Sequence, residues 1–269
     1  MTIFEAVMLG VVQGLTEFLP VSSTGHLILV RALFGVEDAY GLAFDAVLHL
    51  ATATAVIVYF FPDIWQLTQA GLRKLGRLPV NKRDETLLYS LLVATIPAVV
   101  LGFFLESLME KTFRHPLLVA GVLIAGSVFF IYAEWVYQNR PQTNTMSPKK
   151  GFKIGLFQAL ALIPGMSRSG ATISGGMMLG LSRSEATRFA FLMAVPVITG
   201  AGLKKFLELL ASNESVAWLP VTVGAAVSFL IGLAAIHFMI SFLKKHTLWP
   251  FIWYRIILAS FVIFIFVFG

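Results

Sequence analysis

Residues 13–26 read Gln13-Gly14-Leu15-Thr16-Glu17-Phe18-Leu19-Pro20-Val21-Ser22-Ser23-Thr24-Gly25-His26. They sit in the middle of an apolar run, residues 3–35, and place a carboxylate, a proline, a string of hydroxyls and an imidazole inside it. A helix that crosses a bilayer needs about 20 consecutive, mostly apolar residues. A proline followed by Ser-Ser-Thr-Gly ends a helix and offers caps for the next one. The run is therefore expected to fold as two short helices joined by a polar turn. A second run, residues 152–181, is broken in the same way by Gln158 and by Pro164-Gly165-Met166-Ser167-Arg168-Ser169-Gly170.

The rest of the chain supplies the setting. Of its 269 residues, 58% are hydrophobic and only 13% charged, against about 25% charged in a typical soluble domain. A mean hydropathy of +0.84 over the full length excludes a soluble globular enzyme, a disordered chain and a DNA-binding domain. The net charge of +6 is read as loops at a membrane surface, not as an affinity for nucleic acid. The absence of cysteine excludes disulfides, zinc–thiolate sites and thiol catalysis. No basic segment precedes the first apolar run, which Glu5 interrupts, so no cleavable signal peptide is expected. The class is all-α, a polytopic membrane helix bundle.

Five segments have the length and composition of spans, 42–61, 87–105, 117–137, 216–240 and 249–268, and a shorter sixth is 186–203. If both broken runs enter and leave on one face, the loops 62–86, 138–153 and 241–248 share a side and hold eleven Lys and Arg. The opposite loops, 106–116 and 204–215, hold four. The positive-inside rule then places the first set in the cytoplasm. The broken runs also match each other at an offset of 145: Gly10 with Gly155, Gln13 with Gln158, Leu15 with Leu160, Ser22 with Ser167, Thr24 with Ser169 and Gly25 with Gly170. One integral-membrane domain, 1–269, is expected, built from inverted repeats of about 1–137 and 150–269. Each repeat begins with a re-entrant hairpin, 3–35 or 152–181. Inverted repeats with broken helices place a site between them near the midplane.

The hairpin tips carry the chemistry. Gln13 and Glu17 are four residues apart and share a helix face. An unpaired carboxylate deep in a membrane is costly, by about 2.5–3.5 kcal/mol or more, which points to a functional role or a bound cation. Glu17, with Gln13, is the candidate divalent-cation ligand. Ser22, Ser23 and Thr24 suit the first turn of the following helix as caps and as phosphate donors. In the second hairpin, Arg168 offers a planar fork for phosphate oxygens. Ser167, Ser169 and Thr172 add donors at a helix N-terminus, a place that favours anions. With Ser23 and His26 as nucleophile or base, these are the parts that phosphoryl transfer to water requires. A site inside the membrane gives the substrate a lipid end. Asp45 and His49, four residues apart on span 42–61, are read first as cavity-lining or hydrogen-bonding residues and second as a metal pair. Glu134 is expected to reach the cytoplasmic interface.

Gln13–His26 and Pro164–Thr172 resemble the signature regions of the undecaprenyl-diphosphate phosphatase family, the bacitracin-resistance type. Its first region is (Glu/Gln)-x-x-x-Glu followed by Pro-x-Ser-Ser-Thr-Gly-His, and its second is Pro-Gly-x-Ser-Arg-Ser-x-x-Thr. This chain satisfies both, with Gln13 at the first position. The resemblance implies hydrolysis of undecaprenyl diphosphate to undecaprenyl phosphate and phosphate, recycling the carrier lipid of bacterial cell-wall synthesis and conferring bacitracin resistance. It implies a divalent cation, Mg²⁺ or Ca²⁺, and a site open to the periplasmic side of the plasma (inner) membrane. Glu17, Ser23, His26 and Arg168 would be the catalytic set, with Ser167, Ser169 and Thr172 on the phosphate. Either Ser23 attacks with His26 as base, or His26 activates water. The partners are the polyprenyl diphosphate and membrane lipid, with a homodimer left open. The competing reading is a transporter or flippase of a phosphorylated polyprenyl lipid, in which the clamp holds cargo and cleaves nothing.

Overall fold

The computed structural model describes residues 1–36, 41–112, 115–211 and 216–268. Among them are eleven helices and no strand: α1 (Ile3–Thr16), α2 (Ser23–Phe34), α3 (Gly41–Tyr59), α4 (Phe61–Leu75), α5 (Lys82–Thr112), α6 (Pro116–Asn139), α7 (Pro148–Leu160), α8 (Arg168–Met178), α9 (Arg183–Ala211), α10 (Trp218–Leu243) and α11 (Trp249–Phe268). Helices α5, α6, α9, α10 and α11 are long and apolar enough to cross a membrane, and α3 with α4 makes a sixth candidate if the bent pair is counted as one. The chain is thus a multi-pass, all-helical membrane protein.

Both broken runs fold as paired short helices. The four helices α1, α2, α7 and α8 have 14, 12, 13 and 11 residues. At 1.5 Å per residue they reach roughly 16–21 Å, short of the ~30 Å hydrocarbon core. Their starts are set by local chemistry. Thr2 and Glu5 form a capping box on α1, and Ser147 caps α7 with Pro148 in its first turn. The Ser22 hydroxyl caps α2 by accepting from the Gly25 N–H, and Ser167 caps α8 by accepting from Gly170. These two serines share an uncommon backbone, φ 76° at Ser22 and φ 75° at Ser167, a region that side chains rarely occupy without compensating contacts.

Small residues seat the hairpins against the long helices. Helix α1 packs on α10, and α7 packs on α5. A methyl group added to Gly10 would strike the Gly224 carbonyl, and one added to Gly155 would strike the Ala94 carbonyl. Each contact brings two helix backbones together, the packing small residues permit inside membranes. Around the tips the core is aromatic, with Phe18 edge-on to Phe191 at 5.4 Å between centroids.

Two expectations are corrected. The 62–86 loop is largely helical. Pro62 lacks an N–H and its ring opposes continuation of α3, so the chain turns by 82° and restarts as α4. Trp65 and Leu72 of α4 stay exposed while Leu67 and Ala70 are buried. Glu134 does not extend to the surface of the bundle. It is buried, accepts from both Arg183 and the Leu248 N–H, and ties α6, α9 and the start of α11 together.

The most buried large polar side chain is Arg255 of α11, which has no exposed surface. Its Nη1 donates to the carbonyls of Pro20 (3.4 Å) and Met166 (3.1 Å), and its Nη2 to those of Gly165 and Leu123, each at 3.0 Å. Its Nε reaches the Ser127 hydroxyl at 3.2 Å. The guanidinium lies over the Phe130 ring, 4.6 Å from its centroid, in space left by Gly126. One side chain therefore holds a carbonyl from each hairpin turn.

Two variants test this packing. Gly155→Val is expected to part α5 from α7 and to lower the melting temperature in detergent, with overpacking costing about 1–3 kcal/mol. Arg255→Met keeps most of the volume but strands the turn carbonyls, at about 1–3 kcal/mol for each one left unpaired. A fall in melting temperature of roughly 5–10 °C is expected, with Arg255→Lys intermediate. An unchanged Arg255→Met transition would show that the turns stand without it.

Candidate active site

The two tips meet on one carboxylate. Glu17, just past the end of α1, is 5% exposed. Its Oε1 accepts from Arg168 Nη2 at 3.0 Å, and its Oε2 accepts from the Ser23 hydroxyl at 2.5 Å. Gln13 Nε2 donates to the same Oε2 at 2.9 Å, as the four-residue spacing predicts. Arg168 is the first residue of α8 and Ser23 the first of α2, so two helix N-termini face the same point. Free N–H groups and the positive helix ends favour a phosphate there. Arg168 Nη1 is buried without a hydrogen-bond partner.

His26 lies beside this cluster but is not joined to Ser23. Its Nδ1 is 2.8 Å from the Ser22 carbonyl. A carbonyl only accepts, so Nδ1 carries the proton. Nε2 is then the accepting nitrogen, and the Tyr254 hydroxyl donates to it at 2.8 Å. Of the two roles expected of His26, base to Ser23 or activator of water, the first has no contact behind it, because the group on the Ser23 hydroxyl is Glu17.

The other candidates fasten the tips to one another. Ser22 Oγ accepts from the Gly25 and Gly165 N–H groups. Ser167 Oγ accepts from Gly170 N–H and lies 3.2 Å from Ser169 Oγ. Ser169 donates to the Leu19 carbonyl at 3.0 Å. The Thr172 hydroxyl is 2.7 Å from the Arg168 carbonyl. Thr24 sits half-buried in the first turn of α2. All the sequence-predicted site residues are thus gathered at the two tips, and most of the hydroxyls are already engaged as caps or cross-links.

The residues present fit a divalent cation shared with a substrate. Among the described residues there is no group of three or more His, Cys, Asp or Glu that would hold a metal by itself. Mg²⁺ and Ca²⁺ take oxygen ligands, and Mg²⁺ in particular is held by one or two carboxylates together with substrate phosphates. Glu17 supplies a carboxylate, and the adjacent Gln13 Oε1 is buried with no hydrogen-bond partner.

His49 takes the first role read for it, hydrogen-bonding at the cavity, while two further residues at the site were not singled out from the sequence. His49 Nδ1 lies 2.9 Å from Gln13 Nε2 and 3.3 Å from Glu17 Oε2. Asp45 is drawn the other way, into a two-pronged pair with Arg31 at 2.7 and 2.9 Å, so the two do not form a metal pair. Tyr254 and Arg255 are the others. A lone arginine seven residues into an apolar 20-residue helix was a usable signal, since an ionisable residue at that depth needs a partner. For Tyr254 the sequence offers no such signal, because tyrosine is ordinary near a membrane interface.

Comparison with known proteins places the chain in a family. The family model described as bacitracin resistance protein BacA matches residues 6–261. A protein of Rubrobacter xylanophilus named undecaprenyl-diphosphatase is 43% identical over 263 residues, covering 97% of each chain. One of the same name from Desulforudis audaxviator is 43% identical over 261 residues, covering 97% of this chain and 96% of its own. Another, from Alteromonas mediterranea, is 40% identical over 260 residues and 97% of each chain. With matches of this extent carrying both hairpins and nearly every helix between them, the chain belongs to the bacitracin resistance protein BacA family.

Proposed function

We propose that the chain hydrolyses undecaprenyl diphosphate to undecaprenyl phosphate and inorganic phosphate, with Glu17, Ser23 and Arg168 as the reacting centre. The observation that carries this is the Ser23 hydroxyl 2.5 Å from one oxygen of Glu17 while Arg168 holds the other. The activity recycles the lipid carrier of cell-wall synthesis and gives resistance to bacitracin. The phosphatase name of the relatives favours hydrolysis over transport of the lipid.

The terminal phosphate enters at the N-termini of α2 and α8. It draws Arg168 off Glu17 and takes up the unpartnered Nη1 as a second donor. Glu17 then accepts the Ser23 proton as Oγ attacks the terminal phosphorus. The bridging P–O bond breaks and its electron pair leaves on undecaprenyl phosphate. Water attacks the phosphorus of phospho-Ser23 and gives its proton to His26 Nε2, which passes it on to solvent as the phosphate departs. Glu17 returns its proton to Ser23 as the Oγ–P bond breaks, and inorganic phosphate departs. A divalent cation, Mg²⁺ or Ca²⁺, would be held by Glu17 and Gln13 Oε1 and would supply charge neutralisation on the diphosphate when bound. Ser22, Thr24, Ser167, Ser169 and Thr172 are assigned to the phosphate region, where they set the helix N-termini whose free N–H groups would donate to the phosphate oxygens.

The site is assigned to the periplasmic side of a bacterial plasma membrane on the family resemblance, in a bundle whose orientation the eleven basic residues on the loops read as cytoplasmic support. The halves 1–137 and 150–269 are assigned as inverted repeats. The matching backbones of Ser22 and Ser167 support this, as does the exchange of Gly10 and Gly155 contacts across the halves.

Phosphate release from undecaprenyl diphosphate in detergent is expected to stop on chelation and to return with Mg²⁺ or Ca²⁺. Glu17→Gln is expected to lower kcat by about 100-fold or more, the usual range for losing a positioned base. Substrate labelled in its terminal phosphate should leave label on Ser23 in wild type and none in Ser23→Ala. Near-normal turnover of Ser23→Ala would replace the serine by water as nucleophile. Arg168→Lys keeps the charge but loses the fork, and is expected to recover only a small part of the activity lost in Arg168→Ala.

A further inference from the structure

The His26 ring is held at both nitrogens, and the two holds differ in origin. Nδ1 donates to the carbonyl of Ser22, four residues back in the same hairpin. That bond selects the tautomer but belongs to the segment that must receive the substrate. The bond at Nε2 comes from 228 residues away, from the Tyr254 hydroxyl on α11. The two rings lie nearly parallel, 7° between planes and 5.6 Å between centroids. Tyr254 is itself 45% exposed, so core packing does not explain its placement. Its neighbour Arg255 is bolted to the carbonyls of both hairpin turns. The helical turn that carries Tyr254 is thereby fixed to the tips it serves.

We propose that Tyr254 is a positioning residue of the active site. Its hydroxyl, set in place by the Arg255 anchor, keeps the His26 imidazole from rotating and holds Nε2 as the accepting nitrogen until water takes the hydroxyl's place. This rests on the reading that His26 takes part in the reaction. Helix α11 becomes a third component of a site otherwise built from the two hairpins. An imidazole tethered at Nδ1 alone can swing about that bond, and catalytic groups lose rate steeply when their orientation loosens. The Tyr254→Phe change removes one hydroxyl and leaves the ring stack and the packing of α11 in place.

The test uses purified full-length protein with undecaprenyl diphosphate. Tyr254→Phe is expected to lower kcat about tenfold, the scale of one hydrogen bond, with KM within about twofold and the melting temperature unchanged. In a His26→Gln background the same change is expected to have less than a twofold effect, because the group it positions is gone. The ¹⁵N signal of His26 Nε2, identified by its absence in His26→Gln, is expected to move in Tyr254→Phe. Wild-type kcat in Tyr254→Phe, a full tenfold loss repeated on His26→Gln, or an unmoved Nε2 signal would each overturn the proposal. His26→Gln with normal turnover would instead overturn the role given to His26, whatever the spectrum of Tyr254→Phe.

Discussion

A guanidinium buried among carbonyls holds this fold's working parts in register. Arg255 binds Pro20 of the first turn, Gly165 and Met166 of the second, and Leu123 of the helix between them. Turns at such depth have backbone groups that neither a helix nor lipid can satisfy, and irregular backbone survives in a membrane only where protein or water meets those groups. A planar cation with five donors in fixed directions suits the task, since it can reach several carbonyls from separate elements at once. Cross-links between the turns, from Gly165 N–H to Ser22 and from Ser169 to the Leu19 carbonyl, complete the joint. Two hairpins that would each be marginal alone become one rigid surface.

On that surface the charges are arranged for exchange. Glu17 and Arg168 neutralise each other in the absence of substrate, which makes both tolerable in a low-dielectric setting. Removing one partner from such a pair is far more damaging than never having had it. In the proposed mechanism a phosphate arriving at Arg168 releases the carboxylate next to a hydroxyl that it already holds. Preorganisation and solubility in the membrane are thus met by the same pair. The second hairpin has no counterpart to this carboxylate, because Leu162 stands at the offset position of Glu17. If the halves are copies, they have divided the work: one supplies acid–base groups and the other the anion clamp.

The hydroxyls of the two turns show where pattern reading stops. Ser-Ser-Thr-Gly-His and Ser-Arg-Ser-Gly marked the tips correctly as polar turns opening short helices. They did not show how each hydroxyl would be used. Ser22 and Ser167 cap helices at strained φ, Ser169 fastens to Leu19, and Ser23 alone points its proton at a carboxylate. Neighbouring serines differ only in direction on the backbone, and direction depends on which elements converge. The same holds for Asp45 and His49, which share a helix face in sequence yet serve Arg31 and Gln13 respectively.

Composition and the two broken apolar runs were sufficient for the class of protein, most of the spans and the residues that the structure brings together at the two tips. The physical reason is that a bilayer penalises every idle charge and every broken helix, so the few that remain are legible one by one. Helix α4 was missed because a charged, amphipathic helix that need not span gives the same averaged signal as a loop. What only the tertiary structure decided is which groups touch: Glu17 and not His26 on Ser23, Tyr254 on His26, Arg255 on both turns. Those contacts join residues up to 235 positions apart. They follow from the angles at which packed helices cross, which no local pattern records.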